Sequence, residues 1–349
     1  MGRVRRIFWA AAFPVFAALL FFAAPTVRCR ASEPVVVVID PGHGGENRGG
    51  EVEGQFLEKE ITLQAALAMK QTLEQFEGVE VYLTRTADQE LSLEERAQLA
   101  KAMGADFLFS LHFNMSGEHN LYGSEVWTSA FGRYYSAGQT FGRLQLAEMA
   151  ARGQYIRGVK TRLNSRGTDY YGVIRASRQL DLPCVIIEHC YMDHPVDSHQ
   201  IDTAAEVADM GVGDAIAVAR YFHLKSSSLG LDYSGYSYET VPYAQGVAVP
   251  DRTPPELVSL SVLSADPATG RVDLKLDAAD AQSGILYYSY SLDGGATWSM
   301  LMPFANLGSL TFTVTVPGGN APVILCRAYN GYDLYAESAA VAPGVFPAR

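Results

Sequence analysis

Two imidazoles and two carboxylates in this chain stand where they could work together. His43 lies in the run VVVVIDPGHGG at 35–45, and His112 follows DFLFSL at 106–111. Glu188 ends CVIIE at 184–188, and Glu58 opens a helical pattern after the first glycine loop. Two imidazole nitrogens and a carboxylate oxygen suit Zn²⁺, which takes N and O ligands tetrahedrally and keeps one position open in catalytic sites. A further carboxylate, Glu188, would take the proton from water as it attacks, which is what metal-assisted hydrolysis requires. Spacing alone leaves plainer uses open. His43 would then be a turn residue bonded to backbone, Glu58 a carboxylate favoured by a helix N-terminus, and His112 a strand-end hydrogen-bonding group. Glu188 is harder to explain that way, because a carboxylate directly after Val185-Ile186-Ile187 is partly buried and needs a partner or a task. The chain has no HExxH motif. A second cluster, His189, Cys190, Asp193, His194 and His199, falls within eleven residues. Its histidines are not at helical spacing and Pro195 argues against a helix, so it reads as a polar loop beside the site, with a lesser claim to a metal of its own.

The elements that must position these groups follow from periodicity. Val35 to Ile39 has no polar alternation, the pattern of a buried strand in a parallel sheet, and Pro41 and the glycines end it in a sharp turn. An acid and a histidine are thus delivered to the C-terminal edge of a core strand, where ligands bind in open α/β sheets. Apolar residues recur at helical spacing from Ile61 to about Phe76, and Val79–Leu83 alternates like a strand. Ser92 reads as an N-cap for a helix ending at Gly104. Further strands are expected at 106–111, 123–129, 170–175 and 184–188, and helices at 136–152 and 204–222. The basic, glycine-punctuated segment 157–169 reads as a surface loop, and 189–199 as a polar one. This alternation over 35–223 predicts an α/β fold: a three-layer domain with a mostly parallel twisted sheet. Residues 225–253 have no clear period and read as a linker whose tyrosines could pack on a domain. From 254 to 345 short strands at regular spacing, with the turn Asp293-Gly294-Gly295, predict an all-β sandwich.

Composition narrows the function classes. The chain is 349 residues long with 48% hydrophobic and 19% charged content, which fits a folded protein of two domains. Arg3, Arg5 and Arg6 precede an apolar run from Ile7 to Ala24, and Ala31 is a small residue suited to cleavage, so residues 1–31 read as a secretory signal peptide. An uncleaved membrane anchor is the alternative. Cys29 follows an arginine, unlike a lipoprotein site. Without the first 31 residues, which hold five arginines and no acids, the formal charge is −16, which disfavours nucleic acid as a partner. The remaining cysteines, Cys184, Cys190 and Cys326, are too few and odd in number for a disulfide framework.

The ordered series VIDPGHGG at 38–45, Glu58-Lys59-Glu60, LTRTAD at 83–88, SLEERAQLA at 92–100 and ADFLFSLHFN at 105–114 resembles the zinc-dependent N-acetylmuramoyl-L-alanine amidases. Gly123 to Trp127, Ser165-Arg166-Gly167, VIRAS at 173–177 and PCVIIE at 183–188 continue it. The resemblance covers 35–223 and implies hydrolysis of the amide between the muramic lactyl group and L-alanine in peptidoglycan. It implies one Zn²⁺ held by His43, Glu58 and His112, with Glu188 as the catalytic carboxylate. Asp40 would either orient a ligand histidine or cap its turn. Departures from the family are Lys101, where Asn is usual, and His189-Cys190-Tyr191, where Gly-Phe is frequent; both bear on substrate contacts rather than ligands. The segment 114–123 is too short for the inserted helix that plugs the site in some relatives. SGILYYSYSLDGGATWS at 283–299 resembles bacterial immunoglobulin-like modules, which implies a spacer or weak adhesion role; its aromatic residues, Trp298 included, are expected mainly in the core. A zinc peptidase acting within the stem peptide and a non-catalytic wall-binding protein are the competing readings. A secreted, cell-wall location follows from the leader and the resemblance together.

Overall fold

The computed structural model describes residues 33–317 and 321–346; the expected leader at 1–31 lies outside the described residues. Among the described residues, no helix is long and apolar enough to cross a membrane. Chain order runs β1 (Val35–Pro41), the hairpin β2 (Glu51–Val52) and β3 (Phe56–Leu57), α1 (Glu58–Leu73), β4 (Val79–Leu83), α2 (Leu93–Ala102), β5 (Phe107–Asn114) and β6 (Ser124–Thr128). Then come α3 (Gly132–Ala151), β7 (Ile156–Thr161), α4 (Gly172–Gln179), β8 (Cys184–Tyr191), α5 (Pro195–Ser198) and α6 (Ala204–Tyr221).

Six strands form one sheet in the order β4-β1-β5-β8-β6-β7. Every ladder is parallel except β6 with β8. Because successive side chains alternate across a strand, each strand feeds two cores. Val37, Ile39, Phe107, Phe109, Val185 and Ile187 pack against α1, α3 and α6, while Val38, Leu108, Trp127 and Ile186 pack against α2 and α4. The helices therefore cover both faces, giving the expected three layers. The unalternated apolar runs belong to strands with an apolar layer on each side. Ser92 caps α2 in a reciprocal box with Glu95, and Thr203 does the same for α6 with Glu206.

Three local expectations are corrected. Residues 172–179 form a helix, not the strand expected at 170–175. Over so short an apolar run the two periods cannot be told apart, and burial of Val173, Ile174, Ala176 and Ser177 against the second core favours the helix. Residues 156–161 form an edge strand rather than part of a surface loop, because Arg157 and Lys160 are buried on a carboxylate instead of solvated. The polar loop at 189–199 is mostly structure: β8 continues through Tyr191, and Pro195 starts α5 at its first position, where a missing N–H costs nothing.

Beyond α6, residues 225–253 hold β9 (Lys225–Ser226) and β10 (Leu231–Asp232) and then lie along α3 and α6. Tyr238 stacks on Tyr221 with ring centroids 5.8 Å apart, and Val241 N donates to Thr140 Oγ1 at 2.9 Å. Further on are β11 (Leu257–Asp266), β12 (Arg271–Ala279), β13 (Ile285–Ser291), β14 (Met302–Pro303), β15 (Ser309–Thr315), β16 (Leu325–Asn330) and β17 (Tyr335–Glu337). They make two antiparallel sheets, β11-β12-β15 and β14-β13-β16-β17, which share one apolar core. By their contacts, the described residues from Pro34 onward form a single compact unit. Arg157 clamps Asp333 with two bonds of 2.9 and 2.7 Å, Thr161 N donates to the Tyr332 hydroxyl at 3.1 Å, and the Tyr287 hydroxyl donates to the Tyr122 carbonyl.

Candidate metal centre

The C-terminal edge of the sheet turns polar on one face. Along the face that packs on α2 and α4, Val38 gives way to Asp40, Leu108 to Ser110 and His112, and Ile186 to Glu188. Glu188 is the register partner of His112 across the parallel ladder and of Glu125 across the antiparallel one. Because β6 runs the other way, its first residues reach the same edge as the last residues of β5 and β8. His112, Glu188 and Glu125 thus form a row over three strands.

His43 enters from the loop after β1. Its φ of 62° lies in the left-handed region, which disfavours a side-chain-bearing residue and persists here because the surrounding contacts hold it. Arg96, buried by α2, donates to the carbonyls of Pro41 at 2.8 Å and His43 at 2.7 Å. Arg85, also buried, donates to the carbonyls of Pro41 at 3.0 Å and Gly42 at 2.8 Å. Asp40 neither orients a ligand histidine nor caps the turn: it accepts from Thr84, Ser110 and Arg96, and so fixes the guanidinium that holds the loop. The partner that orients His43 is Asn47, whose Oδ1 lies 2.9 Å from Nδ1. That bond directs Nε2 inward.

Glu58, the first residue of α1, is buried beneath both histidines. Its Oε1 lies 3.0 Å from His43 Nε2 and 3.0 Å from His112 Nδ1, and accepts from Phe113 N at 3.1 Å. Its Oε2 accepts from Gly50 N at 2.7 Å. Burial opposes its charge, but the hydrogen bonds from His112 and His43 outweigh that and hold the carboxyl far below its usual range. For His43, burial disfavours the charged ring, and the bond and charge of Glu58 outweigh it, so its pKa is raised. The pocket is cut to backbone size. A Cβ on Gly42 would lie 2.4 Å from the His112 ring, and one on Gly49, whose φ is +72°, would lie 2.5 Å from Glu58 Oε2. Ligand atoms of His43, Glu58 and His112 all lie within 4.8 Å of one another. Lone-pair-bearing atoms this close are stable only with protons or a cation among them, so the donor set fits a divalent ion such as zinc.

Glu188 carries the reverse signature. Its Oε2 is buried with no hydrogen-bond partner among the described residues. Burial, then the charges on Glu58 and Glu125, push its carboxyl well above the ordinary range. Glu125 accepts from Lys160 at 2.7 Å, Arg157 at 2.9 Å and Asn114 at 2.9 Å. Burial opposes its charge, but Lys160 and Arg157 hold its pKa at about 2. The two carboxylates side by side are therefore driven apart in proton affinity.

The second cluster does not form a metal group. The buried His189 spends Nδ1 on the His112 carbonyl at 2.9 Å and Nε2 on Asp214 at 2.8 Å. His194 stacks on Tyr122 with centroids 4.9 Å apart, Asp193 accepts from Ser116 N at 3.0 Å, and the exposed His199 pairs with Asp202. His189 does serve the site, since it steadies the backbone of His112. Cys184, Cys190 and Cys326 are buried thiols. Sequence reasoning missed Asn47, Arg85, Arg96, Glu125, Arg157 and Lys160 as site-building residues. The one signal for Glu125 was an acid on the same face of an alternating strand as Trp127.

Comparison with known proteins identifies relatives of this chain. The profile of the family described as N-acetylmuramoyl-L-alanine amidase matches residues 37–220. The chain is 29% identical over 198 residues to the N-acetylmuramoyl-L-alanine amidase CwlM of Bacillus licheniformis, covering 56% of this chain and 72% of that one. It is 30% identical over 195 residues to the sporulation-specific N-acetylmuramoyl-L-alanine amidase of Bacillus subtilis, covering 56% and 71%. Among solved structures, Cwp6 from Clostridium difficile superposes with a TM-score of 0.50 at 30% identity over 53% of this chain; the match spans 29% of that protein. With more than half of its length matched in sequence, the chain belongs to the N-acetylmuramoyl-L-alanine amidase family.

Proposed function

We propose that the protein is a zinc-dependent amidase that hydrolyses the bond between N-acetylmuramic acid and L-alanine in peptidoglycan. The observation that carries this reading is the pairing of two environments on one sheet edge: a closed group of two imidazoles and an ionised carboxylate, and next to it a carboxyl with an unpartnered buried oxygen. His43, Glu58 and His112 would hold the ion, and Glu188 would handle the proton. Bound zinc supplies Lewis acidity, which polarises an amide carbonyl and makes water nucleophilic at neutral pH. Glu58 stays ionised over the working range, which gives the site its fixed negative charge. Glu188 accepts the proton of the attacking water on its free oxygen and returns it to the leaving alanine nitrogen as the C–N bond breaks. Asn47 holds the tautomer of His43, and Arg85 and Arg96 hold its backbone, so the donors are pre-arranged.

Membership of this family and the basic-apolar N-terminal segment support export to the cell envelope. The two antiparallel sheets with a shared core support an immunoglobulin-like module at 254–345. Digestion of purified peptidoglycan with the full chain, with and without a chelator, tests the activity. Mass analysis should show free stem peptides beginning at L-alanine, lost on chelation and restored by zinc. Cuts within the stem peptide would instead mean a peptidase, and binding without cleavage under any metal would mean a wall-binding protein.

A further inference from the structure

Beside the glutamate row lies a cavity of about 550 Å³ that the catalytic sheet does not enclose alone. Asn114, Glu125 and Tyr171 line one wall; Arg252, from the segment after α6, and Tyr332, Asp333 and Leu334, from the β16–β17 turn, line the other. Asn114 and Glu125 belong to the strands flanking Glu188, so the cavity opens beside the reacting edge.

The charges around it are sorted. Glu125 and Asp333 are neutralised by Lys160 and Arg157 within the wall. Asp251 is also in the lining, but its carboxylate is turned onto neutral donors: the Thr253 N–H, the Ser283 hydroxyl and the Asn330 amide. Two guanidiniums remain. Arg162 is exposed and stacks on the Tyr170 ring at 3.9 Å, and Arg252 is exposed; neither is paired with a carboxylate among the described residues. Guanidiniums that line a cavity with no carboxylate paired to them, one of them held on an aromatic ring, fit a planar anion that each can grip with two parallel bonds. The far wall is fixed, because the bidentate Arg157–Asp333 clamp and the Thr161–Tyr332 bond tie the turn to β7.

We propose that this cleft binds a carboxylate of the peptide portion of the substrate, with Arg162 and Arg252 as its cationic contacts, and that the C-terminal sheets are thereby one wall of the substrate site rather than a spacer. The proposal rests on the amidase reading for the identity of the peptide. The family profile matches residues 37–220, so the wall formed by Arg252, Tyr332, Asp333 and Leu334 lies outside the part of the chain that it describes.

Calorimetric titration tests it with the full chain carrying Glu188→Gln, so that the ligand is not consumed. The probes are a muramyl tripeptide with free carboxylates and the same molecule with every peptide carboxylate converted to carboxamide. The acid should bind at least tenfold more tightly. The preference should fall below threefold in R162A/R252A, return in part in R162K/R252K, and do so with unchanged melting temperature, since both side chains are exposed. Equal binding of acid and carboxamide, or a preference that survives R162A/R252A, would overturn the proposal. Activity is judged separately on the unaltered chain. Release of stem peptides without the acid preference sinks only this inference, and the acid preference without release sinks only the amidase reading.

Discussion

Replacing Glu188 with glutamine separates proton transfer from metal binding and from folding. The substitution keeps side-chain shape, and since Oε2 has no hydrogen-bond partner, the new amide breaks no bond there. His43, Glu58 and His112 stay in place, so the variant should still take up one zinc per chain. Loss of a positioned general base and acid should lower kcat about 100- to 10,000-fold, which is about 3 to 5 kcal/mol of barrier. A second readout follows from the raised pKa of Glu188. In the metal-free protein the folded state holds that proton over a range where the unfolded chain has released it. Stability therefore falls as pH rises from the ordinary carboxylate value through the raised one, by about 1.4 kcal/mol for each tenfold difference in proton affinity. Glutamine does not titrate. Chelated E188Q should thus gain stability over chelated wild type at pH 8 and match it at pH 3. Peptidoglycan turnover, zinc content and urea melts at the two pH values give all three numbers. Turnover within tenfold of wild type, with zinc retained, would refute the assignment of Glu188. Parallel melting curves at both pH values would refute the account of its buried, unpartnered oxygen.

Other consequences can be measured. Because His43 is protonated more readily in the metal-free state, zinc competes with that proton: affinity should drop as pH falls, and calorimetry in buffers of different ionisation enthalpy should show net proton release on zinc binding. Arg96→Ala removes two bonds to the loop that carries His43, and should weaken zinc binding about 10- to 100-fold in a competition titration while the sheet persists by circular dichroism. Glu125→Ala strands the buried charge of Lys160 and leaves Arg157 to Asp333 alone, and should cost about 3 to 5 kcal/mol in chemical denaturation. Since the Glu125 carboxyl is depressed to about 2, the wild type should lose this contribution as pH falls from the ordinary carboxylate value towards 2. Gly49→Ala places a Cβ against Glu58 at a positive φ and should abolish zinc uptake at one equivalent.

The sequence by itself determined the framework. The apolar runs at 35–39, 106–111 and 184–188, the helix patterns from 58 to about 76 and at 204–222, and the Ser92 cap are local signals, carried by periodicity and turn chemistry, and the structure has an element at each, with the two helices ending at Leu73 and Tyr221. The convergence of His43, Glu58 and His112 was also foreseeable, because parallel strands must present their C-terminal ends at one edge. What only the tertiary structure decided concerns groups whose state depends on partners far along the chain. Arg157 and Lys160 looked solvated because they are charged; a carboxylate from β6 and another at Asp333 made them core residues. Residues 172–179 became a helix because the second core needed that face covered. Asp40 gave its oxygens to Thr84, Ser110 and Arg96 rather than to a histidine, and Asn47 took the role expected of it. The reversed strand β6 brought Glu125 beside Glu188, and a turn more than 140 residues later closed the cavity next to them. Periodicity reports how an element repeats along itself. It carries no record of which distant charge will neutralise a buried one, and that pairing is settled only when the layers assemble.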